Sequence, residues 1–161
     1  MRKASERSSV VSDERPSGPE CLAVFAGEIE LSTKGELDMV DLTAGLESLI
    51  DDSGVADGLV NIFVPGATGA LTTMEYEPGV VEDLRAAIRR MAPDDLEYQH
   101  HLKWKDGNGQ SHVRAALVGP SVTVPLREGR IPAGTWQQIV FIELDVRPRK
   151  RKLLVQILGT R

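Results

Sequence analysis

A chain of 161 residues is long enough to bury one sizeable hydrophobic core and too short for two comfortable domains. Its hydrophobic (41%) and charged (27%) fractions are ordinary for a globular protein, but only 4% of the residues are aromatic. A net charge of −5 argues against a general nucleic-acid binder. The single cysteine, Cys21, excludes an internal disulfide and a Cys-rich zinc site, and we expect it to be buried in the first strand.

The N-terminal 20 residues differ from the rest of the chain. They are rich in Ser, Arg, Glu, Pro and Gly, which predicts a disordered tail over residues 1–20 and a single domain over residues 21–161. The alternative is a tail that orders against a neighbouring subunit. No apolar run approaches the roughly 20 residues that span a bilayer, and no secretory signal is apparent. We therefore expect a cytoplasmic protein with no membrane partner.

The first half of the domain alternates strands and helices. Residues 21–32 predict a strand, and residues 58–64 predict a second, buried strand. Between them, apolar residues at helical spacing predict an amphipathic helix that Asp38 or Asp41 caps and Gly54 ends. The predicted order in this half is therefore strand, helix, strand.

The second half continues with a small-residue stretch, a helix and several strands. Residues 67–77 predict a strand with a Thr-lined face or, alternatively, a ligand-facing loop that presents Glu75. The spacing of apolar residues predicts a second helix over residues 80–91. We expect strands over residues 113–124, 135–144 and 153–158, the second of them covered on both faces. This order of elements indicates an α+β fold.

The stretch richest in polar side chains covers residues 98–114. Asp-Gly and Asn-Gly dipeptides over residues 106–109 predict a β-hairpin with this loop at its tip. The hairpin brings His100 or His101 beside His112, and its register decides which of the two. Diagonal same-face neighbours on adjacent strands lie roughly 7–8 Å apart, close enough for two imidazoles to hold one ion or one phosphate.

These histidines leave two kinds of site open. One histidine of the pair, His112 and a carboxylate would supply the three protein ligands of a catalytic zinc site. The carboxylate candidates are Asp106, Glu75 and Glu143. The alternative is a site without metal, in which the histidines are hydrogen-bonded or contact an anion.

Arginines provide candidate phosphate ligands. Arg114 follows His112 by two residues and would share its face of a strand, because side chains alternate along a strand. The same alternation places Arg147, Arg149 and Arg151 on one face of the chain before the last strand. A planar guanidinium suits bidentate contact with phosphate. The alternative for Arg149 and Arg151 is a charged strand entry that blunts a sheet edge.

Two further candidates concern ring binding and hydrolysis. Trp136 and Gln137 can stack on and hydrogen-bond a heteroaromatic ring, although Trp136 suits a core or a subunit interface equally well. Ser121 lacks a Gly-x-Ser-x-Gly context, which argues against a serine hydrolase. There is also no P-loop or dinucleotide-binding fingerprint.

Several motifs follow one another in a fixed order. They are Pro65-Gly66-Ala67-Thr68 with Glu75, Tyr98-Gln99-His100, Asp106-Gly107-Asn108-Gly109 with His112, Gly119-Pro120-Ser121, Gly134-Thr135-Trp136-Gln137, and Arg147-Pro148-Arg149-Lys150-Arg151. In this order they closely resemble the YjbQ family, the secondary thiamine-phosphate synthases, over residues 22–160. The chain departs from that pattern at Gly66 and Gln110, where relatives often carry histidine.

The resemblance implies a fold, an assembly and an activity. The fold is α+β, with a twisted or barrel-like sheet and helices packed on it, and the assembly is a homotrimer with its site near subunit boundaries. The activity joins a thiazole phosphate to a pyrimidine diphosphate and releases pyrophosphate. Such a displacement needs cations, usually Mg²⁺ with Arg or Lys, at one end and a ring-holding pocket at the other.

The resemblance also implies roles for individual residues. The implied catalytic residues are His100, His112 and Glu75. The implied substrate-binding residues are Thr68, Asn108, Arg114, Ser121, Trp136, Gln137, Arg149 and Arg151. The implied metal ligands are His100, His112 and Glu143, for Mg²⁺ or Zn²⁺. A small phosphorylated metabolite is the expected partner. The alternatives are a non-enzymatic trimer that binds a small ligand or a metal, and a metal-dependent hydrolase of a phosphorylated metabolite.

Overall fold

A computed structural model describes residues 22–161 of the chain. The predicted tail and Cys21 lie outside the described residues. The elements in chain order are β1 (Ala23–Ser32), β2 (Asp38–Asp41), α1 (Thr43–Ser53), β3 (Asp57–Phe63), β4 (Gly69–Met74), α2 (Pro78–Met91), α3 (Gln99–Trp104), α4 (Gly109–Val118), β5 (Ser121–Leu126), β6 (Gln138–Glu143) and β7 (Lys150–Thr160).

The strands form two antiparallel sheets. One sheet has four strands in the order β1-β7-β3-β5, and the other has three in the order β2-β6-β4. The predicted α+β class is confirmed, and helices pack on the sheets. Neither sheet closes into a barrel, because each ends in two edge strands.

Strand β6 is the centre of the molecule. Its Ile139 and Phe141 point into the core between the two sheets, where α1 also packs. Its Val140 and Ile142 point the other way, into a second core with Ile88 of α2. The prediction that this strand is covered on both faces is therefore confirmed, and the strand separates two apolar layers.

The ends of the first two helices follow local chemistry. The Oδ1 atom of Asp41 accepts a hydrogen bond from the Thr43 N–H (2.9 Å), and Gly54 ends α1 in the left-handed region at φ 62°. Helix α2 begins at Pro78, two residues before the predicted start, because the Glu77 carboxylate accepts hydrogen bonds from backbone N–H groups of its first turn. None of the described helices has the length and apolar composition needed to cross a bilayer.

The predicted hairpin over residues 98–114 is wrong, as is the strand predicted to begin at Val113. The structure has two helices there, α3 and α4, and β5 begins only at Ser121. Lys105 (φ 56°) and Gly107 (φ 68°) adopt left-handed conformations between the helices. Turn dipeptides therefore mark the tight connection but do not decide what it connects. The short strand β2, which ends at Asp41, was also missed.

The outer face of the four-stranded sheet carries an apolar row. Val24, Leu158, Leu59 and Pro125 are register partners on β1, β7, β3 and β5 in turn. The first three have exposed fractions of 63%, 40% and 49%. Exposed apolar side chains in a contiguous row are typical of an interaction surface.

Two glycines allow β3 and β7 to approach closely. Gly58 pairs with Gly159, and a Cβ on Gly58 would lie 2.0 Å from the carbonyl oxygen of Leu158. We expect Gly58→Ala to lower the free energy of unfolding by about 1–3 kcal/mol, because the strands must move apart.

Urea denaturation measures this change. The control is Gly134→Ala, because a Cβ at Gly134 meets nothing closer than Gln137 at 3.9 Å. Equal denaturation midpoints for the two variants would contradict the account of the strand contact.

Candidate functional site

A cleft of about 560 Å³ opens between the start of β7, the loop after β3, and the helices α3 and α4. Its volume lies within the range of small-molecule sites. Seven of the candidates singled out from the sequence line it: Thr68, His100, Asp106, Asn108, His112, Arg149 and Arg151. The structure thus brings together residues that are up to 83 positions apart in the chain.

Two imidazoles form one wall of the cleft. His100 of α3 and His112 of α4 have ring centroids 4.5 Å apart with their planes tilted by 47°. His100, not His101, is therefore the histidine that meets His112. The contact arises from the packing of α3 against α4 rather than from a hairpin.

His100 has partners for both of its protonation states. Its Nε2 atom lies 3.5 Å from Oδ1 of Asp106, which can accept a hydrogen bond from the protonated ring. With the Asn108 amide oriented as its neighbours require, the amide nitrogen lies 3.2 Å from the same Nε2 and can donate to the neutral ring. An imidazole with both partners is suited to taking up and releasing a proton.

His101 has a structural role at the start of α4. Its Nε2 atom accepts a hydrogen bond from the Gly109 N–H (2.9 Å), and its ring contacts the edge of Tyr98 with centroids 5.5 Å apart. A Cβ on Gly109 would lie 2.6 Å from Cβ of Tyr98, so glycine is required for this close packing. The contact fixes the start of the helix that carries His112.

Arg151 enters the cleft from β7 in a fixed orientation. Its Nε and Nη2 atoms donate to both oxygens of Glu143, which is fully buried, and Nη2 also donates to Oγ1 of Thr68 (3.0 Å). Within residues 22–161, its Nη1 atom makes no hydrogen bond. Gly66 lies beside this atom, since a Cβ there would be 3.6 Å from Nη1, and both residues line the cleft.

Arg149 is held in a similar way. Its Nε atom donates to Oδ2 of Asp145 (2.9 Å), and its Nη2 atom forms an ion pair with the same oxygen at 2.7 Å. Burial alone would raise the pKa of the Asp145 carboxyl. The hydrogen bonds from the Arg149 side chain and the Arg147 backbone N–H, with the charge of Arg149, outweigh burial and hold this pKa below its ordinary value. The Asp145 carboxylate thus stays charged and keeps Arg149 in place.

The structure places Arg114 away from the cleft. In a helix, residues two positions apart differ by about 200° in direction, so Arg114 and His112 point to opposite sides of α4. The Arg114 side chain is fully buried. It donates to Ala92 O and pairs with Glu36 (2.5 Å) and Asp94 (2.7 Å). The prediction that Arg114 shares a face with His112 is wrong, and these contacts anchor α4.

Four other candidates also lie elsewhere. Glu75 is exposed just beyond the end of β4 that is far from Thr68. Ser121 accepts a hydrogen bond from Asn61 (3.0 Å) between the neighbouring strands β3 and β5. Trp136 is 70% exposed in the turn before β6, and Gln137 donates to Oγ1 of Thr73 (3.2 Å). Their sequence spacing gave no information on which end of the sheets they occupy.

Sequence reasoning missed two residues that line the cleft. Trp104 ends α3, and Asp145 follows β6. Asp145 could have been found from Glu143, because side chains alternate along an extended chain. Residues two positions apart share one side, so both carboxylates point the same way as the chain leaves the core. Trp104 follows His100 by four residues, which points to a shared face in a helix. Because the segment was predicted to be a strand, this spacing was not used.

The predicted zinc ligands come together only in part, because His100 and His112 meet in the cleft whereas Glu143 does not line it. Within the part of the chain that the structure describes, no group of three His, Cys, Asp or Glu side chains is arranged to hold a metal ion. Glu143 is bound to Arg151 and to Oγ1 of Thr33 (3.0 Å). Because this set does not fit a metal site in this arrangement, we derive no step through one, and binding of Zn²⁺ or Mg²⁺ stays a prediction.

Comparisons with known proteins agree with one another. The model of the family described as "UPF0047 protein YjbQ-like" matches residues 27–160. A UPF0047 protein of Methanothermobacter thermautotrophicus is 34% identical over 138 residues, which cover 86% of this chain and 94% of that protein. The crystal structure of a YbjQ-like protein of unknown function from Sulfolobus solfataricus P2 has a TM-score of 0.82 at 33% identity, covering 86% of this chain and 99% of that one. A family structure from Clostridium acetobutylicum has a TM-score of 0.71 at 33% identity, covering 80% and 98%.

Asp145 should make stability depend on acidity. Because its pKa is lowered in the folded state, its contribution is fully present above the pKa of an unfolded aspartate, about 3.9, and is lost as pH falls through the folded value. We expect Asp145→Asn to cost about 1–3 kcal/mol at neutral pH, with the difference from the wild type shrinking below about pH 4.

Thermal melting followed by circular dichroism over this pH range measures the difference. The control is Asp52→Asn at an exposed position of α1. A destabilisation by Asp145→Asn that is the same at pH 7 and about pH 3 would contradict the ion-pair account.

Proposed function

The chain belongs to the YjbQ (UPF0047) family, and from this premise we propose that its cleft binds the phosphate groups of a small phosphorylated metabolite. The proposed reaction is that of a thiamine-phosphate synthase-like transferase. It joins a thiazole phosphate to a pyrimidine diphosphate and releases pyrophosphate. This activity comes from the resemblance to the family, and the contacts of the cleft support it.

One observation supports the proposal most strongly. Arg149 and Arg151 lie in the same cleft as the His100–His112 pair, and each arginine is oriented by a buried carboxylate. In residues 22–161, the Nη1 atom of neither arginine makes a hydrogen bond. Donors that are already oriented lose little freedom when they bind an anion, and a guanidinium matches two phosphate oxygens. Lys150, between them, also lines the cleft.

The proposed step is a displacement at the methylene carbon of the pyrimidine. The thiazole nitrogen supplies the electron pair of the new C–N bond, and the C–O bond to the diphosphate breaks with its electron pair leaving on pyrophosphate. Arg149 and Arg151 stabilise the negative charge that develops on this leaving group. His100 or His112 donates a proton to it. A divalent ion such as Mg²⁺ would arrive with the diphosphate as part of the substrate.

Hydrolysis of a phosphorylated metabolite is the second candidate, and solvent access favours it. The Arg149 and Asp106 side chains are 46% and 41% exposed, so water reaches the groups that would bind and activate it. A lid that excludes water is the usual means by which a transferase avoids hydrolysis. In the hydrolase, His100 would act as the base that activates water, with Asp106 as its partner.

Assembly as a homotrimer is a further part of the proposal. The resemblance to the family implies the trimer, and the apolar row of Val24, Leu158, Leu59 and Pro125 is a surface that a second copy of the chain would cover. Glu28 and Glu30 pair with Lys152 on the same face, at 2.7 and 3.4 Å. A polar border around an apolar centre is the usual composition of a subunit interface.

The activity is tested directly by thiamine phosphate formation from the two phosphorylated precursors with Mg²⁺. We expect turnover by the wild type and a loss of about 100-fold or more in His112→Ala, the usual size of an acid–base contribution. The control is Val113→Ala, an exposed neighbour on α4 that does not line the cleft.

Two results would count against this assignment. Full turnover by His112→Ala at unchanged stability would remove the histidine pair from the mechanism. Release of phosphate from either precursor, without formation of thiamine phosphate, would replace the transferase by the hydrolase.

A further inference from the structure

Trp104 is a large aromatic side chain left open to solvent at the cleft. It ends α3, its exposed fraction is 62%, and it lines the same cleft as Arg149 and Arg151. The chain has two tryptophans, and the other, Trp136, does not line this cleft. Tryptophan buries more apolar surface on contact than most side chains, so an exposed indole in a cleft is a candidate ligand contact.

The position of Trp104 on α3 relates it to the histidine pair. It follows His100 by four residues, and side chains at this spacing lie one above the other on the same face of a helix. The indole therefore extends the wall that His100 begins. The next residues along the chain that line the cleft are Asp106 and Asn108.

Lys103 lies over one face of the Trp104 indole. Its ammonium nitrogen lies 5.1 Å from the ring centroid, within the range of a cation–π contact. A cation over one face leaves the opposite face of the indole for a stacking partner. A planar ring is suited to that face, because stacking buries both surfaces at once.

The size of the cleft supports a ligand with more than a phosphate group. The cleft is open and has a volume of about 560 Å³, so inorganic phosphate would fill only a small part of it. The two arginines provide charged contacts at one part of the lining, and the indole provides an apolar contact at another. A phosphate ester of a flat ring would use both.

We propose that Trp104 is the ring-binding residue of the cleft and sets its preference for phosphate or diphosphate esters of planar heteroaromatic rings over esters without a ring. The ring stacks on the indole while the phosphate groups contact Arg149 and Arg151. This inference rests on the proposed phosphate binding, and it assigns to Trp104 the stacking role that the sequence suggested for Trp136.

Three probes of matched charge separate the ring from the phosphate. They are inorganic pyrophosphate, n-butyl diphosphate and the aminopyrimidine-methyl diphosphate. The experiment uses the Trp136→Phe background, in which Trp104 is the single tryptophan, and records both fluorescence and calorimetric affinity. We expect the pyrimidine ester to quench Trp104 and to bind roughly 5- to 150-fold more tightly than the butyl ester, as aromatic stacking on a base does.

Substitutions at Trp104 then test the assignment. In the two-tryptophan chain, Trp104→Ala should abolish the preference for the pyrimidine ester and leave pyrophosphate affinity unchanged, whereas Trp104→Phe should keep most of the preference. The control is Leu102→Ala, because Leu102 is 58% exposed on the same helix and does not line the cleft.

The outcomes that overturn the inference are distinct. If pyrophosphate binds but Trp104→Ala keeps the full preference, the ring role is wrong while phosphate binding stands. If none of the three probes binds, the phosphate site fails and the ring role fails with it. If Trp104→Ala lowers the mass measured by light scattering and leaves the preference intact, Trp104 is a subunit contact.

Discussion

The structure depends on two ion pairs at the end of the central strand, where the chain leaves the core. Strand β6 is buried on both faces, and the chain continues from it through two carboxylates, Glu143 and Asp145, that have exposed fractions of 0% and 3%. A buried carboxylate is costly unless a cation and hydrogen-bond donors compensate it. Arg151 and Arg149, at the start of β7, provide both. The same ion pairs that allow β6 to be buried also hold two guanidiniums at the edge of the cleft, so stability and ligand binding share one set of contacts.

The helical side of the cleft is fixed by a separate set of contacts. Arg114 ties α4 to Glu36 and Asp94 from inside the protein, and His101 ties the start of α4 to α3 through the Gly109 N–H. These two anchors leave His112 and His100 facing each other across the helix pair. The histidines are therefore placed by neighbours that themselves face away from the ligand, which is the arrangement expected where an imidazole must keep a fixed orientation.

Local patterns in the sequence were sufficient for much of the fold. The continuous apolar run of β6, the hydrogen bond of Asp41 to the first residue of α1, and the stop of α1 at Gly54 are all determined by nearby residues. The hairpin over residues 98–114 failed because Asp-Gly and Asn-Gly fix only a tight turn, and the flanking residues have no strand alternation to decide between strand and helix. The same error put Arg114 on the wrong side. Thr68, His100, Asn108, His112, Arg149 and Arg151, which were named through the family resemblance, nonetheless line one cleft, and their binding roles stay predictions. Trp104 and Asp145 depend on packing between distant segments, which no local pattern reports.

The central claim is that the arginines at the start of β7 bind phosphate, and calorimetric titration with pyrophosphate tests it most directly. The comparison is between Arg149→Gln and Lys152→Gln, which remove one positive charge each from positions three residues apart. Lys152 pairs with Glu28 on the outer face of the sheet and does not line the cleft. We predict that Arg149→Gln weakens binding by about 10- to 100-fold, the size of a charge-assisted hydrogen bond, and that Lys152→Gln changes it less than about twofold. Equal affinities for the two variants, both folded at the temperature of the titration, would contradict the account.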